Sequence, residues 1–217
     1  MSKRTHRTIA GFVALAAALA PAVLFAQPAS AFNGGKHGDP VHFFKYKLLA
    51  TTLIKRSNLI VEPQPGIFRG AIDLKTGELV GDVALPSTTF TQTESGVGTV
   101  TTTSETINTK LTHGHVNLKT FQVTATSTFN IHIISMYPAG TPPLPPPFPP
   151  VNLVGDSCMT TSPITVTMSG KANLAGTSTF TGVFTIPGFW NCQGMTDAIN
   201  QQIPGPGNTF TATVSPS

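Results

Sequence analysis

From Phe121 to Ile133 the chain keeps a strict period of two. In "KTFQVTATSTFNIHI", Phe121, Val123, Ala125, Phe129, Ile131 and Ile133 share one parity. Gln122, Thr124, Thr126, Thr128, Asn130 and His132 share the other. Only a β-strand sends successive side chains to opposite faces, so this segment reads as a strand with one apolar and one hydroxyl-rich face. At about 3.3 Å per residue it would reach about 50 Å, too long for a flat sandwich strand. It must bend, break at Ser127, or pass between two sheets.

Shorter segments repeat the pattern. In the first strand Phe44, Tyr46, Leu48 and Ala50 oppose Lys45 and Lys47. "GIFRGAIDLKTGELVGDVALP" reads as a hairpin with Leu74 opposite Leu79, Ile72 opposite Gly81 and Phe68 opposite Leu85. Lys75 to Glu78 then form the connection, with Gly77 supplying a positive φ. Arg69, Asp73 and Asp82 fall on its other face. "GVGTVTTTSETINTKL" alternates weakly, with Val97, Ile107 and Leu111 as its apolar parity. Later strands place Ile164, Val166 and Met168 together, then Phe180, Phe184 and Ile186, then Phe210, Ala212 and Val214. "MTDAINQQI" is the one helix candidate, with Thr196 or Asp197 to cap it. No repeat of solenoid length is found. The expected fold is all-β: a single antiparallel β-sandwich or partly closed β-barrel with one short C-terminal helix.

The N-terminus bears on location. Lys3, Arg4 and Arg7 precede an apolar run from Ile9 to Ala26, and Ala29-Ser30-Ala31 supplies small residues for cleavage. Residues 1–31 read as a secretory signal peptide, because Pro21 breaks the run short of a membrane span. Residues 32–40 read as a flexible mature N-terminus, and residues 41–217 as one β domain containing a proline-rich loop at 138–150. The formal charge of +4 falls to near +1 once those three basic residues are removed. A nucleic-acid partner is not expected, since no basic face remains. No membrane span is expected after signal cleavage.

Cys158 and Cys192 are the only cysteines. In an exported chain they have one intramolecular pairing available, and neither has a neighbouring cation to make a reactive thiolate. A bridge closing about 35 residues stabilises by about 3 to 4 kcal/mol in the chain-entropy account. Trp190 is expected to pack against it.

"PAGTPPLPPPFPPVN" holds eight prolines between Pro138 and Pro150. The segment beyond it has too few strands to form its own core, so the stretch reads as a loop in extended polyproline II rather than a linker. Leu144 and Phe148 would form an exposed apolar edge for contact with a partner or with the domain's own rim.

Motifs for chemistry are scarce. His113 and His115 lie two apart in "THGHV" and would face one side of a strand. With His132 they form a candidate metal set that His37 and His42 are free to reach, against the alternative that Gly114 marks a turn between two polar histidines. No nucleophile elbow, zinc-protease or cofactor motif is present, so no cofactor is expected. Asp73 and Asp82 are read as surface partners of Arg69 rather than as paired catalytic carboxylates.

The segments "TGELVGDVALP", "SPITVTMSG", "GVFTIPGFWNC" and "DAINQQIPGPGNTFTATV" are similar to a group of secreted β-rich proteins of actinobacteria with no assigned activity. The resemblance runs from about Thr52 onward. It implies bacterial export, one β domain and a Cys158–Cys192 bridge, and transfers no active site. Two functional expectations follow. The first is a secreted, non-enzymatic binding or structural module at the cell envelope or outside the cell, with an envelope or extracellular partner or an apolar ligand. In one form it holds that ligand in a cavity lined by Phe121, Phe129, Phe180 and Phe184. The second is a secreted hydrolase or metal-dependent enzyme using His113 and His115.

Overall fold

The structure, a computed structural model, describes residues 41–94, 98–139, 151–173 and 176–216. The segments expected to be a signal peptide and a flexible mature N-terminus, Val97, and the proline-rich stretch from residue 140, with Leu144 and Phe148, lie outside the described residues. Pro138 and Ala139 still belong to a strand end: Pro138 pairs with Val100, and the Ala139 N–H donates to the Thr99 carbonyl at 2.8 Å.

The first half of the chain forms β1 (Val41–Ile54), β2 (Leu59–Val61), β3 (Gly66–Asp73), β4 (Glu78–Ala84), β5 (Thr88–Glu94) and β6 (Gly98–Val116). The second half forms β7 (Gln122–Pro138), β8 (Cys158–Thr160), β9 (Ile164–Lys171), β10 (Ser178–Ile186), β11 (Phe189–Trp190), the helix α1 (Thr196–Gln202) and β12 (Gly205–Pro216). All belong to one antiparallel sheet except α1. Eight strands close on themselves in the order β1-β3-β4-β6-β7-β9-β10-β12, with β12 returning to β1. The fold is all-β, with a ring of strands and one short helix.

The alternation from Phe121 becomes β7, which neither breaks at Ser127 nor changes sheet. It keeps β6 along one edge from Val116↔Val123 to Val100↔Pro138. Three register shifts, all within β6 or its partner segment, supply the bend that such a length requires. Its other edge pairs with β9 as far as Phe129 and then with β8 at His132 and Ile133. β6 changes partner in the same way: β4 covers Thr112 to His115, and β5 covers Gly98 to Ser104. The β6–β7 ribbon thus runs past the ring. Its far half joins Ile54 of β1, Ile199 and Ile203 around α1, and Phe189, Cys158 and Cys192 in one buried cluster that closes this end.

The inward side of β6 differs from expectation. The even positions face in, with Val100, Thr102, Thr112 and Val116 buried, while Ile107 is 40% exposed. Threonine stands on both faces of this strand, so hydrophobic parity has no contrast to follow.

Aromatic rings inside the ring are seated on glycines of the neighbouring strand. Phe44 pairs with Gly70, and Phe180 pairs with Gly170. A Cβ at Gly70 would stand 2.9 Å from the Phe44 ring and 2.2 Å from the Val80 carbonyl oxygen. One at Gly81 would meet the Phe68 ring at 2.6 Å, and one at Gly170 the Phe180 ring at 2.7 Å. The missing side chains let strands curve and let each ring lie flat against the backbone.

The β3–β4 turn follows a different register from the expected one: Ile72 faces Leu79 and Phe68 faces Val83. Asp73 is the cause. Its Oδ1 accepts the N–H groups of Lys75 at 2.7 Å and Thr76 at 3.0 Å, and its carbonyl accepts that of Gly77 at 2.8 Å. This local turn pulls Leu74 out of the ladder, leaving it 48% exposed. The β6–β7 turn repeats it in detail. Asn117 Oδ1 accepts Lys119 at 3.0 Å and Thr120 at 3.1 Å, and the Phe121 N–H donates to the Asn117 carbonyl at 2.7 Å. "DLKTG" and "NLKTF" are therefore one turn built twice, with Gly77 (φ 79°) and Phe121 (φ 57°) at the left-handed position.

The helix also departs from expectation. Met195 rather than Thr196 or Asp197 occupies its N-cap, without a side-chain cap bond. A single 3-10 turn (Gln193–Met195) leads directly into α1, so Thr196 is already helical and its hydroxyl donates back to the Gln193 carbonyl at 3.0 Å.

Gly81→Ala is expected to destabilise the fold by about 1 to 3 kcal/mol through overpacking. Gly194→Ala, where an added Cβ meets nothing within 4 Å, should stay within about 0.5 kcal/mol of the parent; urea melts of both variants check this. The Thr76 and Lys75 N–H groups hold the Asp73 carboxyl below its ordinary value. A lowered folded-state value means its stabilisation is present above the unfolded value and is lost as pH falls through the folded one. Asp73→Asn keeps both N–H bonds, so acid melts below about pH 4 should show a smaller loss of stability in the variant than in the parent.

Candidate functional site

The interior of the ring is not filled. A cavity of about 220 Å³ lies inside it, reached by side chains from every strand of the ring. For comparison, an engineered apolar hole of about 150 Å³ stays dry and takes up benzene. The inward rings of Phe44, Tyr46, Phe68, Phe129, Phe180 and Phe210 are only half-buried, which is how inward residues look when they face space rather than one another. Phe44 stacks on Tyr46 with ring centres 5.5 Å apart and tilts against Phe68 at 5.0 Å.

Of the four phenylalanines expected at such a cavity, Phe129, Phe180 and Phe184 line it. Phe121 does not. It lies in the β6–β7 turn rather than in the strand, its positive φ turns it off the inward parity, and it is 37% exposed. Sequence reading missed the wall contributed by β1, β3 and β12, which brings Phe44, Phe68 and Phe210. Their even parity within each strand was the signal available.

The cavity wall is apolar on most sides and polar along β6. Ser104, Thr106 and Thr112 of β6 face it, with Ser127 of β7 beside them. Thr112 Oγ1 and Ser127 Oγ are buried and 2.7 Å apart. Beyond the Gly81–Thr112 pair, β4 and β6 no longer share a ladder. The Asn108 side-chain amide spans the gap, donating to the Val83 carbonyl and to Asp82 Oδ1. Leu85 and Pro86 on one side of this gap, and Ser104 and Thr106 on the other, line the cavity.

The histidines are not brought together. His113 and His115 sit exposed on the outer face, opposite Thr126 and Thr124 of β7. Gly114 between them is part of β6, not a turn. His115 Nε2 lies 3.0 Å from the Thr76 carbonyl oxygen. His132 is six residues further along β7 than Thr126, about 20 Å at strand rise. Its Nδ1 meets Glu105 Oε1 at 2.8 Å and its Nε2 the Asp156 carbonyl oxygen at 3.2 Å. The three-histidine set is corrected: the length of one continuous strand holds its members apart. Among the described residues no group of three or more histidine, cysteine, aspartate or glutamate side chains is placed to hold a metal ion. Asp82 pairs with Arg69 at 3.2 Å, and Asp73 is taken up in its turn.

Cys158 and Cys192 form a disulfide with Cα atoms 4.3 Å apart. It joins β8 to the segment after β11 and lies in the closed end of the ring with Phe189. Trp190 is 49% exposed on the opposite side of that two-residue strand. Among the described residues no helix is long and apolar enough to cross a membrane. Comparison with protein-family models, with curated proteins and with solved structures finds no match to this chain.

Proposed function

We propose that this protein is an exported, non-enzymatic carrier that holds a small apolar molecule inside its ring of strands. The observation that carries the reading is the cavity of about 220 Å³ walled by half-buried phenylalanines. Leaving such surface unpacked forfeits contacts that a well-filled core would make. A ligand restores them. Export is read from the N-terminal segment, and a disulfide is compatible with the oxidising conditions outside the cell. The closed end, tied by the disulfide and α1, gives the cavity a rigid floor. The gap bridged by Asn108 gives it an entrance that needs only one side chain to move.

A naphthalene-based fluorescent probe should bind saturably, one per chain. Ala212 is 4% exposed and faces the cavity, whereas Thr181 faces outward. Ala212→Phe should weaken probe binding by about tenfold or more, and Thr181→Phe should leave it unchanged. Binding that does not saturate, or that both variants alter equally, would place the probe on the outer surface and remove the carrier reading.

A further inference from the structure

The polar features of the cavity say what kind of apolar molecule it takes, an inference that rests on the carrier reading. Along β7 the inward residues run Val123, Ala125, Ser127, Phe129, Ile131 and Ile133. Val123 and Ala125 belong to one apolar cluster, and Phe129, Ile131 and Ile133 pack in another. Ser127 stands between them, at mid-height on the wall. Its partner Thr112 stands opposite on β6, and the two residues are 3% and 8% exposed, Thr112 and Ser127 respectively. Valine and alanine would fit the pattern on either side of them.

Two hydroxyls carry two protons and several lone pairs. Their single mutual hydrogen bond, 2.7 Å long, uses one proton and leaves the other O–H to donate. Among the described residues neither hydroxyl has another hydrogen-bond partner. This is a buried donor and acceptor pair on two residues that line the cavity. Ser104 and Thr106 continue the polar line along β6 toward the gap bridged by Asn108. Among the described residues no lysine, arginine or histidine lines the cavity, and the one carboxylate residue that does, Glu105, is engaged by His132 at 2.8 Å. An ionised ligand would lose its hydration there and gain no counter-charge.

We infer that the ligand is an uncharged, largely apolar molecule with a single hydroxyl or carbonyl group, which docks on the Thr112–Ser127 pair while its hydrocarbon body lies among Phe68, Phe180 and Phe210. Fatty acids and amines of the same size are rejected by the missing counter-charge. The pair sets selectivity rather than overall affinity, because the apolar walls contribute to every hydrophobic guest alike.

The test is competition against the naphthalene-based probe, using a primary alcohol, the chloroalkane of equal chain length and the matching carboxylate. The protein is the full exported chain and the double variant Thr112→Val/Ser127→Ala. Removing both partners leaves no orphaned donor, so the variant should fold, and a thermal melt confirms it. In the parent the alcohol should displace the probe about tenfold better than the chloroalkane, and the carboxylate worst of all. In the variant the alcohol and chloroalkane should become equal, with probe affinity retained. An alcohol preference absent from the parent, or one that persists in the variant, overturns the assignment of the pair while leaving the carrier reading intact. A carboxylate that competes best overturns the charge argument. Failure of the probe to bind the parent at all removes the carrier reading and this inference with it.

Discussion

The ladder between β6 and β7 is what makes a cavity available. Without it the remaining strands form an open sheet with two exposed edges, and the inward phenylalanines would need a second layer to cover them. With it, β12 joins β1 on one side and β6 joins β7 on the other, a ring closes, and the inward side chains share one interior. The pairing extends from Val116↔Val123 to Val100↔Pro138, and its three register shifts let two long strands bend around that interior. Closure at one end then follows from length. The half of the ribbon that outruns β4 and β9 is free to gather β8, α1 and the disulfide into one cluster.

Closure also explains why space is left. A ring of about eight strands encloses a volume that inward side chains can just fill or that can hold one small ligand. Here the balance is tipped toward open space by glycine at Gly70, Gly81 and Gly170, and by small residues at Ala125, Ser127 and Ala212. The glycines draw Phe44, Phe68 and Phe180 against the backbone instead of toward the centre. The small residues leave the middle of the wall recessed. The outer face is covered largely by threonine, with Thr124, Ser169, Thr181, Thr211 and Thr51 in one cross-strand row over five strands. That face packs against nothing among the described residues.

The sequence is most legible where the two faces of a strand differ in chemistry. In β9, β12, most of β10 and β7 as far as Ile133, apolar and hydroxyl residues alternate, with Ser127 and Val183 as exceptions, and the inward sets can be read largely from the order of residues. In β6 they cannot, because threonine serves both the buried inner face at Thr102 and Thr112 and the outer face. The β3–β4 register differs from the expected one by two residues because hydrophobic parity puts Leu74 in the ladder. The Asp73 side chain, which parity ignores, places it in a turn instead. Phe121 fails for the matching reason at Asn117. The shared "LKT" at residues 74–76 and 118–120 is visible as a repeat, and it encodes turn chemistry only. His132 shares a parity with no other histidine on its strand, and period-two reasoning says nothing of distance along 17 residues. The Thr112–Ser127 contact needs the register between β6 and β7, which no local pattern carries.

The most direct measurement of the central claim is a methyl-resolved nuclear magnetic resonance titration with benzene. The methyl groups of Val123, Ala125, Met168 and Ala212 face the cavity, while those of Val183 are on the outside, 66% exposed. A carrier with an open interior predicts saturable shifts at the four inward residues and none at Val183. Shifts confined to Val183 and its outer neighbours, or none at any inward methyl up to the solubility of benzene, would show that the ring is packed shut and contradict the account.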